Sequence, residues 1–265
     1  LGGLGQQPRR YSRPGHLGFL TSGRSLMAHT VAANSGAVVA VANPAFGPTG
    51  EAGRLSFEPL PATEREAAAL TSLFKPKILS GAAATEQAVQ AIERPRVLHL
   101  ATHGFFLPAG TEKRPLLSAM TRSGLALAGA NTGTDGDGYL TAFEVTSMDL
   151  RGTELVTLSA CETGVGKVVT GEGVFGLRRA FGLAGAKNLM MSLWPVADEE
   201  TSELMVDFYK AFAAGERPSA ALRKAQLATI AQLTKKHGRA HPALWAAFFV
   251  QVAGSQRPVA VPEVP

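Results

Sequence analysis

Val97-Leu98-His99-Leu100-Ala101-Thr102-His103-Gly104 and Leu155-Val156-Thr157-Leu158-Ser159-Ala160-Cys161-Glu162-Thr163-Gly164 decide how this chain is to be read. Each is a short apolar run that ends at a chemically reactive side chain. Runs of this length, bounded by Gly and polar residues, read as buried parallel strands. In an open α/β sheet the site lies just beyond the carboxyl ends of the strands. Two neighbouring strands ending in His103-Gly104 and Cys161-Glu162 would put an imidazole and a thiol on one rim, the pairing that a cysteine hydrolase needs.

The rest of the chain supports such a sheet. Ala37 to Ala42 reads as a buried strand that Asn43-Pro44 ends, because Pro cannot continue a ladder. Thr63-Glu64-Arg65-Glu66 matches a capping box, followed by Leu70, Leu73 and Phe74 on one helical face. Lys77 to Leu79 is a short strand, and Thr85 opens a helix through Val89 and Ile92. A strand is expected at Gly124 to Ala128, a loop at 131–138 and a short helix at Tyr139 to Met148. After Glu154 to Ala160 come a loop, a helix over 173–184 stopped by Gly185, and a strand at Asn188 to Leu193. Asp198 caps a helix with Leu204, Met205, Phe208 and Phe212 inward. Ser219 caps the next, to about Leu233, and Leu244 to Val252 is the last strand. Residues 16–20 read as a short strand, and Ser22 as the cap of a helix through Val31. Strands that alternate with helices in this way predict an α/β fold, a mostly parallel sheet with helices on both faces.

Composition narrows the function. The chain has 265 residues, enough for one substantial core, with 45% hydrophobic and 18% charged residues, as in ordinary globular proteins. The net charge of +5 is dispersed rather than striped with aromatics, which argues against nucleic-acid binding. A single cysteine excludes an internal disulfide and a cysteine-based zinc cluster. No apolar run approaches a membrane span, and the start lacks a signal-peptide pattern, so a cytoplasmic setting is expected. The first residue is Leu rather than Met, which suggests a piece of a longer chain.

Each reactive residue has a plainer reading. A lone cysteine is commonly core, but Cys161 stands where the chain turns outward into Glu-Thr-Gly-Val-Gly. His99 and His103 have metal-ligand spacing only on a helix, so no metal is expected and His99 reads as a satisfied sheet histidine. Together His103 and Cys161 make a mechanism. The thiolate attacks a peptide carbonyl, His103 handles the proton, and the backbone N–H groups of Gly104 and Cys161 are the natural oxyanion donors. Two nucleotide motifs fall short. Gly171-Glu172-Gly173-Val174-Phe175-Gly176 matches G-x-G-x-x-G but lies ten residues past its strand, so it reads as a helix start. Cys161 to Val168 lacks both the first Gly and the final Ser/Thr of a phosphate loop.

Five stretches also resemble a known family: Leu98-His99-Leu100-Ala101-Thr102-His103-Gly104-Phe105, Asp137-Gly138-Tyr139-Leu140-Thr141, Leu158-Ser159-Ala160-Cys161-Glu162-Thr163-Gly164, Gly171-Glu172-Gly173 and Ser192-Leu193-Trp194. In this order they look like the signature of CHAT domains, caspase-like peptidase domains related to separases and gingipains and often found behind tetratricopeptide repeats. The resemblance covers about residues 20–253. It implies a caspase-like three-layer α/β sandwich and a catalytic dyad of His103 and Cys161, with no cofactor. Trp194-Pro195-Val196-Ala197-Asp198 is similar to the separase stretch whose acid selects a basic residue before the cut. Asp198 would then bind substrate and favour Arg or Lys at P1, although an N-cap carboxylate explains it equally well.

The expected organisation is a flexible segment at 1–16, a peptidase domain at 17–253 and a disordered Pro-rich tail at 254–265. The expected function is a cysteine endopeptidase acting on protein substrates. The long loops 105–118 and 128–138 flank the rim, which points to an activating partner or an upstream tetratricopeptide-repeat region. The alternative is a peptidase-like interaction module that does not cleave, or cleaves only under some condition. No nucleic-acid or membrane partner is expected.

Overall fold

Apolar runs and amphipathic stretches take turns along this chain, and they assemble into a seven-stranded sheet with helices on both faces. The computed structural model describes residues 19–20, 36–49, 55–107, 120–133, 136–159, 172–194 and 198–252. In chain order the sheet strands are β1 (Phe19–Leu20), β2 (Val38–Pro44), β3 (Lys77–Gly81), β4 (Val97–Ala101), β8 (Leu155–Leu158), β9 (Asn188–Ser192) and β10 (Phe248–Val252). Their spatial order is β1-β10-β9-β8-β4-β2-β3. Five of them, β3, β2, β4, β8 and β9, are mutually parallel. β10 runs antiparallel to β9, and β1 pairs parallel with β10. The mostly parallel α/β sandwich expected from the sequence is the fold observed.

Alternation along the strands splits the core into two layers. Val39, Val41, Leu98, Leu100, Val156 and Leu158 face one side. There they meet α2 (Glu86–Gln90), α3 (Ala142–Val145) and α4 (Glu172–Ala184), through Val89, Val145 and Phe181. Val38, Ala40, Val97 and Leu155 face the other side. They meet α1 (Thr63–Phe74), α5 (Asp198–Ala213) and α6 (Pro218–His237), through Leu70, Phe208 and Leu222. Each fully buried Leu, Val or Phe contributes ~1.5–3 kcal/mol, so these two layers hold the sheet between its helices.

A second, three-stranded antiparallel sheet lies beside the first: β5 (Gly104–Phe106), β6 (Ser123–Ala126) and β7 (Tyr139–Thr141), in that order. Sequence reasoning found only β6. It read Tyr139 onward as helix, whereas Tyr139–Thr141 pairs with β6 and the helix begins at Ala142. Thr141 is the cap of that helix, in a full capping box with Glu144. The helix-start signal lies in Thr141-Ala142-Phe143-Glu144, two residues after the start expected from the sequence.

Two other helix starts also differ. Thr63 is not a capping-box residue: helix α1 begins on it, and no side chain caps the preceding Ala62. The Thr63 hydroxyl instead accepts from Asn43 N at 2.8 Å and donates to Leu60 O at 2.7 Å. Asn43 has φ 42 at the irregular end of β2, and its side chain accepts from Leu60 N and donates to Glu64. Helix α1 is therefore anchored by β2, and Glu66 is released from any capping role. Helix α6 begins at Pro218 rather than being capped by Ser219, since Pro is preformed for the first helical turn. It runs to His237, where Gly238 at φ 73 ends it. The last strand is shorter than expected, because Pro242–Leu244 forms a 3-10 turn before it. The expected helix after Ser22 and the N- and C-terminal segments lie outside the described residues.

Candidate active site

β4 and β8 are adjacent and parallel, with Leu100 opposite Leu158, so their carboxyl ends open on the same rim of the sheet. His103 follows β4 by two residues. Its main chain is tied to the small sheet, its carbonyl accepting from Ala126 N at 2.8 Å. The neighbouring Thr102 hydroxyl donates to Ala126 O. Gly104 then opens β5, opposite Leu125. That hydrogen bond to His103 makes Gly104 and Leu125 a non-hydrogen-bonded pair of the antiparallel ladder, in which the Gly104 N–H points away from β6.

The His103 side chain is 7% exposed and sits in an aromatic cluster. Phe46 lies 5.3 Å from its ring centroid and Phe57 lies 5.6 Å away. Phe57 in turn packs on Phe105 and Tyr139. Nε2 is 2.8 Å from the carbonyl oxygen of Glu58. A carbonyl can only accept, so Nε2 carries the hydrogen. In the neutral ring Nδ1 is then the basic nitrogen, the one able to exchange a proton with a reacting group.

What holds Glu58 there is Asn131, which is 1% exposed. Its Oδ1 accepts from Phe57 N at 2.8 Å, and its Nδ2 donates to Gly47 O at 2.8 Å and Phe57 O at 2.9 Å. One amide thus fastens two loop segments whose Phe46 and Phe57 pack with Phe105, Ala126 and Tyr139 of the small sheet. Neither Asn131 nor Glu58 was marked by sequence reasoning. Their partners are 74 and 45 residues away in the chain, and a backbone carbonyl carries no residue signature.

Behind the rim, on the α1/α5 face, lies a buried polar chain. His99 on β4 is fully buried, and its Nδ1 is 3.0 Å from the Tyr209 hydroxyl. Tyr209 donates to Thr157 Oγ1 at 2.8 Å. Burial holds the Tyr209 phenol far above its ordinary range, so it stays a neutral hydroxyl. His99 Nε2 is 3.2 Å from Glu66 Oε2, close in distance but out of line for a straight hydrogen bond. Glu66 Oε1 accepts from the Ser159 hydroxyl at 3.1 Å. His99 is accordingly a buried sheet histidine, as its place in the apolar run suggested, but it is satisfied only at Nδ1, since its Nε2 and Glu66 Oε2 make no hydrogen bond.

The remaining sequence-predicted residues are placed less fully. Cys161 lies two residues past Ser159, outside the described residues, as does the loop that follows it. Asp198 is the first residue of α5, and its side chain also lies outside what is described. The G-x-G-x-x-G stretch enters α4, which begins at Glu172 and keeps Gly173 and Gly176 within it, as expected of a helix start with small residues. Among the described residues no group of His, Cys, Asp or Glu is arranged to hold a metal ion. Among the described residues no helix is long and apolar enough to cross a membrane.

A mostly parallel α/β sandwich thus carries, at the carboxyl rim of its sheet, a histidine of fixed tautomer, one strand away from the segment that leads to the single cysteine. The family model described as the CHAT domain matches residues 6–255, and the chain belongs to that family. Curated relatives include tetratricopeptide repeat protein 28 of Homo sapiens, 27% identical over 243 residues, covering 83% of this chain and 10% of that protein. The Mus musculus protein of the same name is 29% identical over 234 residues, covering 78% of this chain and 9% of that protein. The chain therefore spans about a tenth of the length of these relatives. Among solved structures, the Arg-specific cysteine proteinase gingipain R aligns with a TM-score of 0.46 at 10% identity, covering 82% of this chain and 45% of that one.

Proposed function

We propose that this CHAT domain is a cysteine endopeptidase in which Cys161 is the nucleophile and His103 the general base and acid. The observation that carries the reading is the hydrogen bond from His103 Nε2 to Glu58 O. It leaves Nδ1 as the proton-exchanging nitrogen of a ring held at the end of β4, beside the strand that leads to Cys161. The thiol gives its proton to His103, and Sγ bonds to the carbonyl carbon of the scissile peptide. The tetrahedral oxyanion is received by backbone N–H groups, those of Gly104 and Cys161. As the C–N bond breaks, the imidazolium returns the proton to the leaving amine, and a thioester remains. Water, deprotonated by His103, attacks the thioester. The C–S bond breaks, the carboxylate product leaves and the thiol is restored.

Substrate choice is assigned to Asp198, whose carboxylate at the start of α5 would pair with an Arg or Lys side chain at P1. Activation by a partner or by an upstream tetratricopeptide-repeat region fits the kind of protein in which the curated relatives carry this sequence. The test is cleavage of a pooled peptide library by the intact chain and by Cys161→Ala, His103→Ala and Asp198→Ala. Loss of cleavage in the first two and loss of the basic P1 preference in the third are the expected results. If Cys161→Ala cleaves as well as the unmodified chain, the proposal fails. If no form cleaves and Cys161 shows no His103-dependent alkylation, the domain is an interaction module instead.

A further inference from the structure

Glu66 is a carboxylate with 5% side-chain exposure, placed between helix α1 and the sheet. Burial of a carboxylate costs several kcal/mol unless its oxygens are matched, and an apolar side chain of similar size commonly stabilises a core as well or better. Packing alone therefore gives no reason for it. Its two oxygens address two neighbouring strands. Oε1 takes the Ser159 hydroxyl at the exit of β8, and Oε2 meets His99 in the middle of β4. His99 is in turn steadied by Tyr209 of α5, through the hydroxyl that also contacts Thr157. Thr157 is the register partner of His99, and Ser159 follows two residues later on the same face of the strand.

The exit of β8 is thus gripped twice. The Ser159 main-chain N–H donates to Leu100 O at 3.0 Å, and its side chain is held by Glu66. Only Ala160 separates Ser159 from Cys161. Two residues of chain reach at most ~7 Å, so the orientation fixed at Ser159 limits where the thiol can go.

We infer that Glu66 is a positioning residue that acts through the Ser159 hydroxyl to set the direction in which the chain leaves β8 toward Cys161. This rests on Cys161 being the nucleophile. The carboxylate touches no substrate. It orients the segment that does, and a nucleophile misplaced by about 1 Å loses roughly 100-fold in rate.

The test uses the intact chain and two readouts, the alkylation rate of Cys161 by iodoacetamide and the kcat and KM for a cleaved peptide. The variants are Ser159→Ala, Ser159→Thr, Glu66→Gln and the double variant Ser159→Ala/Glu66→Gln. Ser159→Ala should lower kcat and the alkylation rate roughly 10–100-fold with KM little changed. Ser159→Thr keeps the hydroxyl and should recover most of both rates. The double variant should be no slower than the slower single variant, because both act on one contact. If Glu66→Gln fails to fold, Ser159→Ala and Ser159→Thr still decide the matter. Rates for Ser159→Ala within twofold of the unmodified chain overturn the inference while Cys161 stays the nucleophile. Alkylation of the unmodified chain that is indifferent to His103→Ala removes the nucleophile reading, and the positioning role falls with it.

Discussion

Replacing Asn131 by Ala probes the support of the candidate site without touching a reacting group. The amide makes three hydrogen bonds from a fully enclosed position. A typical intramolecular hydrogen bond contributes ~0.5–1.5 kcal/mol net, which gives ~1.5–4.5 kcal/mol for the set. The structure places the expected loss in the upper half of that range, because the substitution leaves Phe57 N–H and Gly47 C=O without their partner rather than removing both sides. Urea unfolding followed by circular dichroism should show the midpoint falling with little change in slope. A second consequence concerns His103. Glu58 is held through Phe57, so loosening that segment should let the ring exchange tautomers. Long-range proton–nitrogen NMR should report an Nε2-protonated ring in the unmodified chain and a mixture in Asn131→Ala. A stability loss below ~1 kcal/mol, or an unchanged tautomer, would show that Asn131 does not hold the loop as argued.

Three further outcomes are expected. Glu86 is half-buried beside Glu144 and Asp137, and desolvation followed by those two carboxylates raises its pKa to about 7. The folded state then keeps a proton that the unfolded chain gives up near 4.5, so stability falls as pH rises between about 4.5 and 7 and levels off above. Glu86→Gln should remove that decline, a difference of about 1 kcal/mol after solvent screening, and thermal melts whose offset from the unmodified chain is the same at pH 4 and pH 8 would refute it. His99→Leu takes the ring away from Glu66 and Tyr209 and should cost ~3 kcal/mol by denaturant titration. Adding Glu66→Met should return part of that loss, and a double variant less stable than His99→Leu would contradict the buried-pair account. In Gly124→Ala the new Cβ would stand 2.5 Å from Leu140 O and 2.7 Å from the Phe105 ring. Strand β6 would have to part from β7, at a cost of ~1–3 kcal/mol, and calorimetric melting within a degree of the unmodified chain would show that the small sheet adapts freely.

Local rules were sufficient where one element decides its own state. Val38 to Ala42, Val97 to Ala101, Leu155 to Leu158 and Asn188 to Ser192 are mostly apolar runs of strand length, and each is a buried strand. Helix α4 stops at Gly185, where φ is 107, because that conformation is open to Gly at little steric cost. Local rules misled where a side chain had two uses. Thr63 to Glu66 fits a capping box, but Asn43 reached the helix start from β2 and Glu66 turned into the core. Tyr139 to Thr141 directly precedes a helix and reads as part of it, yet the edge of β6 recruits it as a strand that ends on the capping Thr141. Strand β5 has three residues, too short for any periodicity to show.

The sequence by itself determined the class of this protein: a parallel α/β sandwich of the CHAT family, with His103 directly after one central strand and Cys161 soon after its neighbour. Those features are carried by contiguous residues, and burial of an apolar run depends mainly on the run itself. Only the tertiary structure decided what surrounds them. Asn131 clasping Phe57, Glu58 O fixing the tautomer of His103, and Glu66 receiving the Ser159 hydroxyl all join residues distant in the chain, by hydrogen bonds that form once packing has brought them together. A hydrogen bond needs its partner within about 3 Å and correctly aligned, and no spacing along one strand or helix encodes that condition between elements.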